Sequence, residues 1–292
     1  MNVLAEHHGD NFSIYNADCV EFAAQLPDNS IDFSVYSPPF SNLFVYSDSE
    51  RDMGNCATDD EFFAHYTYLL RDMYRAHKPG TCSAVHVSDI PLTKWKDGKI
   101  GIKDFSGMVI RAHEAVGFVL HSRVTIWKCP VVEMTRTKAH GLLYKTLCQD
   151  SSRSRTGMPD YLLIFRKEGE KERPCSHEKD DFPVDTWQKW ASPVWMDIQQ
   201  TNTLNVKAAR EDADEKHVCP LQLDLIERAL IMWSAPGDTV FSPFTGIGSE
   251  GYMTLKVGQG RRFIGTELKT AYFNQAIGYL SAADAAPRDL FD

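Results

Sequence analysis

Apolar positions along the chain follow two rhythms that take turns. Short runs with strand character fall at 12–17, 31–37, 81–87, 118–127, 161–166, 239–242 and 262–267. Between them, apolar residues recur every three or four positions at about 59–77, 104–116, 220–233, 249–257 and 270–280, the spacing of one helix face. Leu221, Leu225, Ile226, Ala229 and Leu230 form such a face, so this helix is expected to cover a sheet. Thr58-Asp59-Asp60-Glu61 carries a capping pattern at the start of the first helix, and Lys78-Pro79-Gly80 stops it. Seven strands interleaved with helices predict an α/β fold with a mostly parallel, seven-stranded twisted sheet and helices on both faces.

Two segments carry chemistry. The apolar run Ile31–Tyr36 ends on Ser37-Pro38-Pro39-Phe40. Each proline fixes its own φ and lacks an N–H, and Pro39 pushes Pro38 toward an extended conformation. The corner is therefore stiff and poor in donors, with carbonyls free to accept hydrogen bonds from a ligand. Ser37 adds a hydroxyl acceptor and Phe40 a flat apolar plate, a set that suits a planar ring with an exocyclic amine. An arbitrary Pro-Pro pair is more often a plain loop corner, so the second segment is needed. It is Val240-Phe241-Ser242-Pro243-Phe244-Thr245-Gly246-Ile247-Gly248-Ser249-Glu250-Gly251, a strand, a glycine turn and a helix start. Gly246, Gly248 and Gly251 have the spacing that lets a backbone pass close to a ligand and aims a helix N-terminus at it. The strand Arg262–Glu267 follows and ends on an acid 21 residues after Gly246, where ribose hydroxyls are held in such turns.

Together the segments resemble the amino-group DNA methyltransferases that use S-adenosylmethionine (SAM), whose hallmarks are a [D/N/S]-P-P-[Y/F] tetrapeptide and an F-x-G-x-G loop. The tetrapeptide precedes the loop here, which looks like the beta-class motif order. Tyr15-Asn16-Ala17-Asp18-Cys19 and Leu26 to Asp32 resemble the stretch before the tetrapeptide, and His217 to Gln222 the stretch before the glycine loop. Ser242 stands where the family usually has Asp. The resemblance implies a Rossmann-like methyltransferase fold with an irregular target-recognition insertion: a catalytic half over 1–128, a target-recognition and connecting region over 129–215, and a SAM-binding half over 216–292. It implies Ser37, Pro38, Pro39 and Phe40 at the target base, and Asp18, Phe244, Thr245, Gly246, Gly248, Ser249 and Glu267 at the cofactor. The expected activity is site-specific methylation of adenine N6 or cytosine N4, left nearly even, on a base flipped from duplex DNA. A homodimer and a cognate restriction nuclease accompany many members of such a family and are expectations here.

Composition adjusts this picture. A net charge of −9 looks wrong for a DNA enzyme, but 123–167 holds nine Lys and Arg against three acids. A basic segment on an acidic body is a plausible phosphate-facing surface, with Arg136, Lys138, Lys145, Arg153 and Arg155 as contacts. Its glycines, serines and threonines suggest long loops. The charge-dense run Glu168 to Asp181 reads as a mobile connection. Trp187, Trp190 and Trp195 suggest a local core or subunit contact rather than a base-stacking platform. Seven cysteines without a C-x-x-C pair argue against a disulfide framework or thiolate zinc site, and the ten histidines show no metal-binding pattern. His217, alone beside the cofactor-side segment, reads as structural. With no long apolar run and no signal-peptide order at the N-terminus, the expected location is cytoplasmic.

Three other readings compete with this one. A NAD-dependent oxidoreductase uses the same glycine spacing, but only 41 residues follow Gly251, and the tetrapeptide is left without a role. A catalytically silent DNA-binding relative and an RNA or protein-amide methyltransferase are the others.

Overall fold

The alternating apolar runs form one large sheet sandwiched between helices in the computed structural model, which describes residues 3–40, 52–137, 141–179, 182–205 and 220–286. The strands are β1 (Ala5–His8), β2 (Phe12–Asn16), β3 (Ile31–Tyr36), β4 (His77–Ser88), β5 (Ile90–Leu92), β6 (Gly101–Lys103), β7 (Val119–Ile126), β8 (Asp160–Arg166), β9 (Val194–Trp195), β10 (Thr239–Ser242) and β11 (Arg262–Glu267). Nine of those described make the main sheet, in the order β1-β2-β11-β10-β3-β4-β8-β7-β9, while β5 and β6 pair as a separate hairpin. The expected seven strands are all present. The two additions are β1, a short polar edge strand antiparallel to β2, and the two-residue β9. Neither has the apolar run from which a strand is read.

The five strands β2, β11, β10, β3 and β4 are mutually parallel, β8 runs against them, and β7, antiparallel to β8, runs with them again. The C-terminal strands β10 and β11 lie between β2 and β3, so both ends of the chain build the centre of one sheet. This geometry also brings the start of β8 and the end of β7 to the same edge as the carboxyl ends of the parallel strands.

The helices are α1 (Cys19–Ala23), α2 (Asp59–Ala76), α3 (Lys94–Asp97), α4 (Phe105–Val116), α5 (Pro130–Thr137), α6 (Tyr144–Asp150), α7 (Val184–Trp190), α8 (Leu223–Trp233), α9 (Ser249–Val257) and α10 (Thr270–Asp284). Period-two patterning divides the core between the faces. On β8, Leu162 and Ile164 face the core shared with α8, α9 and α10, whereas Leu163 and Phe165 face the core shared with α2 and α4. Each such side chain contributes about 1.5–3 kcal/mol through burial. Thr58 caps α2 through the Glu61 N–H at 3.2 Å, while the Glu61 carboxylate accepts from the Ala57 N–H at 2.8 Å.

Two features of the middle of the chain differ from expectation, and a third agrees with it. The stretch expected to be long loops forms α5 and α6, of eight and seven residues, both too short to show a helical period. Glu168 to Asp181 is tied down in its described part: Lys171 and Arg173 both pair with the fully buried Asp238, each at 3.0 Å. The tryptophans make a local core, with Trp195 buried and Arg228 lying over the rings of Trp190 and Trp195 at 5.3 and 5.2 Å. Trp187 is exposed. Among the described residues no helix is long and apolar enough to cross a membrane.

Candidate functional site

The carboxyl ends of β2, β11, β10, β3 and β4 open into one cavity of about 340 Å³. Ligands of open α/β sheets sit at this edge, because the turns leaving the strands there are free to carry polar groups. Its wall includes Asp18 after β2, Glu267 at the end of β11, Phe244, Thr245, Gly246 and Ser249 after β10, and all of Ser37, Pro38, Pro39 and Phe40 after β3. Two segments more than 200 residues apart in sequence thus face one space. Gly248 caps the helix instead of lining the wall.

On the glycine-loop side, the backbone is held from below. Thr245 donates its N–H to the Thr266 carbonyl at 2.9 Å, and the Thr266 hydroxyl donates to the Pro243 carbonyl at 2.8 Å. Gly248 caps α9 at φ +98°, and a Cβ there would meet a Leu280 methyl at 2.6 Å, so only glycine fits without a shift. Gly251 lets α9 settle against the Phe263 ring, which an added Cβ would meet at 2.7 Å. Glu267 accepts the Gly246 and Lys269 N–H groups, each at 2.8 Å. Burial nevertheless pushes its carboxyl up to about 7, against these bonds, and Glu250 beside it is pushed by burial to about 8. Asp18 caps α1 by accepting the Glu21 N–H at 2.9 Å. The Ser242 side chain is fully buried and lies outside the cavity wall, and its hydroxyl has no partner among the described residues.

The tetrapeptide side contains groups that sequence reading missed. The Ser37 Oγ lies 3.2 Å from His86 Nδ1 and 3.1 Å from the His86 carbonyl. His86 Nε2 lies 3.2 Å from an Asp160 carboxylate oxygen, and Lys128 pairs with the other oxygen of Asp160. Burial alone would raise the Asp160 carboxyl, but His86 and Lys128 hold it well below the usual carboxylate range. The sheet explains the meeting: Asp160 opens β8 opposite Ser88, next to His86 on β4, and opposite Ile126 on β7, two residues before Lys128. The available signal was a polar residue at the carboxyl end of an apolar strand, Val85-His86-Val87-Ser88, and another at the start of β8. Phe40 is half-buried with its ring edge-on to Phe105 at 5.7 Å.

The basic segment divides. Lys145 is exposed on α6. Arg155, expected to face phosphate, instead forms a two-pronged ion pair with the buried Glu133 at 2.9 and 3.2 Å. Its charge is used to fasten α5. Lys138 and His217 lie outside the described residues, as do the side chains of Arg136 and Arg153. Of 129–215, the strands β8 and β9 belong to the main sheet.

An adenosine cofactor with a cationic centre fits this wall. Ser249 Oγ and Gln222 Oε1 are buried at the cavity without partners among the described residues, and Glu250 and Glu267 supply negative charge on ionising.

The chain matches the model of the N6/N4 DNA methylases over residues 31–278. It is 23% identical to the Type II methyltransferase M.BglII of Bacillus subtilis over 92% of this chain and 68% of that protein. Its fold superposes on a DNA-modification-methylase candidate of Thermus thermophilus crystallised with SAM, at a TM-score of 0.67 and 19% identity over 95% and 97% of the two chains. The cytosine-N4-specific PvuII DNA methyltransferase gives 0.66 at 18% identity, over 99% and 92%.

Proposed function

Given that the chain belongs to the N6/N4 DNA methylase family, we propose that Ser37, Pro38, Pro39 and Phe40 hold the exocyclic amine of a base rotated out of duplex DNA while the amine is methylated. The observation that carries this reading is the single cavity walled by the tetrapeptide at one end and by the glycine loop and Glu267 at the other. SAM is the methyl donor, and its sulfonium supplies a methyl group already activated for transfer.

This chain's residues do the rest. An exocyclic amine is a poor nucleophile because its lone pair is delocalised into the ring. The Ser37 hydroxyl and the Pro38 carbonyl accept its two N–H groups, drawing the nitrogen toward a tetrahedral shape and freeing the lone pair. Preorganised groups of this kind lower the barrier by about 3–4 kcal/mol each. Phe40, steadied by Phe105, stacks on the base that the duplex would otherwise hide. Asp18, Phe244, Thr245, Gly246, Ser249 and Glu267 bind the cofactor, and Gly248 shapes the turn that presents them. Target recognition belongs to the part of 129–215 outside the sheet, with Lys145, Arg136, Lys138 and Arg153 toward phosphate. The Type II name of the Bacillus subtilis relative extends the reading to a restriction nuclease of matching specificity.

The test is transfer of labelled methyl groups to duplex DNA by the native protein and by Ser37→Ala and Phe40→Ala. Both variants should lose most of the transfer, by about 100-fold or more for Ser37→Ala, while binding SAM as the native protein does. Full activity in both would remove the tetrapeptide from the active site.

A further inference from the structure

Methylation leaves one proton too many on the target nitrogen, and none of the residues expected at the base can keep it. We infer that His86 takes that proton, through the Ser37 hydroxyl, with Asp160 and Lys128 fixing the imidazole for the task. The inference rests on the proposed placement of the target amine at Ser37.

The geometry defines the path. His86 stands between Ser37 Oγ, at 3.2 Å from Nδ1, and Asp160, at 3.2 Å from Nε2. Asp160 is 3% exposed and held ionised by its neighbours, and its charge 3.2 Å from Nε2 favours the tautomer with the proton there, a contact that a small turn of the ring makes a hydrogen bond and that leaves Nδ1 as the bare acceptor facing the serine. Lys128 balances the carboxylate and keeps it from taking the proton outright. The serine hydroxyl, which donates to the His86 carbonyl at 3.1 Å, then swings its proton to Nδ1 at 3.2 Å and turns a lone pair to the amine. As the new N–C bond forms, the C–S bond of the donor breaks with its electron pair on sulfur. The amine N–H proton passes to Ser37 Oγ while the hydroxyl proton passes to Nδ1. The products are a methylated amine, a thioether and an imidazolium, so the positive charge of the sulfonium ends on His86 against Asp160. The arrangement has the logic of a serine–histidine–carboxylate triad, but the serine conducts a proton and does not attack.

Other ionisable groups border the same cavity: Asp18, Asp52, Asp89, Glu133 with its Arg155 partner, Glu250, Glu267 and Lys269. The experiment must separate them from His86. Single-turnover methylation is followed across pH with cofactor and DNA saturating, for the native protein, His86→Gln, Ser37→Ala and the double variant. The native rate should rise with pH through one ionisation that His86→Gln abolishes. His86→Gln should slow transfer on the order of 100-fold with SAM affinity within twofold, and should cost nothing further in the Ser37→Ala background. Asp160→Asn provides a second route, and should slow transfer and move the same ionisation to lower pH. Independently of activity, nitrogen NMR of the free protein should find the neutral His86 ring protonated on Nε2. A native rate and profile in His86→Gln, or a ring protonated on Nδ1, would overturn the inference while leaving the methyltransferase reading intact. A native protein that methylates no DNA would overturn both.

Discussion

Burial pushes the Glu250 carboxyl up to about 8 and the Glu267 carboxyl to about 7, with each facing the space assigned to the cofactor. Below these values both are neutral and offer little to a cation, and above them both are negative. A bound cation favours the ionised forms, so SAM binding should release protons and tighten as pH rises from about 6 to about 9. The demethylated product lacks the sulfonium charge, and its affinity should change less. Calorimetry in buffers of different ionisation enthalpy measures the proton release, and Glu250→Gln should remove the upper part of the pH dependence. Equal pH dependence for SAM and product would show that these carboxyls do not sense the sulfonium. Glu267 was legible in the sequence from its distance to Gly246. Glu250 was not, because a carboxylate at the start of a helix reads as an ordinary partner for the helix dipole.

At the scale of elements, the ion pair between Arg155 and Glu133 decides what α5 does. Glu133 is 6% exposed and its carboxylate also lies 3.4 Å from the Met158 N–H, so removing Arg155 takes a two-pronged counter-charge away from a buried carboxylate. Arg155→Gln should therefore cost about 3–5 kcal/mol of stability in denaturant unfolding. Lys145→Gln should leave stability unchanged and lower the slope of log affinity for DNA against log salt by about 0.9. The reverse pattern would make Arg155 the phosphate contact. Both arginine and lysine stood in the same basic run, and charge alone does not tell a solvated cation from a paired one. The long elements were legible because their patterns are strong: the apolar runs became β2, β3, β4, β7, β8, β10 and β11, and the periodic stretches became α2, α4, α8, α9 and α10. The short ones, α1, α5, α6 and β9, have too few residues to show a period. His86, Lys128 and Asp160 were missed for a related reason. They come from three strand ends, and only the register of β4, β8 and β7 brings them together.

Across the whole molecule, two buried histidines contribute to the response to acid. Burial lowers His77 and His113 from 6.5 to about 3. His77 bonds Ser34 and Thr81 at 2.9 and 3.0 Å, and His113 stacks on Phe165 with ring centres 3.8 Å apart. Both rings stay neutral in the folded protein at pH values where the unfolded chain protonates them. Through these two rings the unfolded state binds more protons between about pH 6.5 and about pH 3, but the raised Glu250 and Glu267 carboxyls bind more in the folded state above about pH 4.5, so stability falls as pH falls below that value. Each ring contributes a slope of about 1.4 kcal/mol per pH unit. Urea unfolding across this range should show the slope, and His113→Asn should remove one ring's share. An unchanged slope in that variant would mean that His113 is protonated in the native state.

The same molecular scale carries the central claim, that both ends of the chain close one cavity in which a base amine meets SAM. The most direct measurement incubates purified protein with labelled SAM and unmethylated duplex DNA, digests the product to nucleosides and resolves them by mass spectrometry. Label should appear on an exocyclic amine, as N6-methyladenine or N4-methylcytosine, with the mass also naming the target base. SAM binding without label on either amine, across DNA of varied sequence, would contradict the claim.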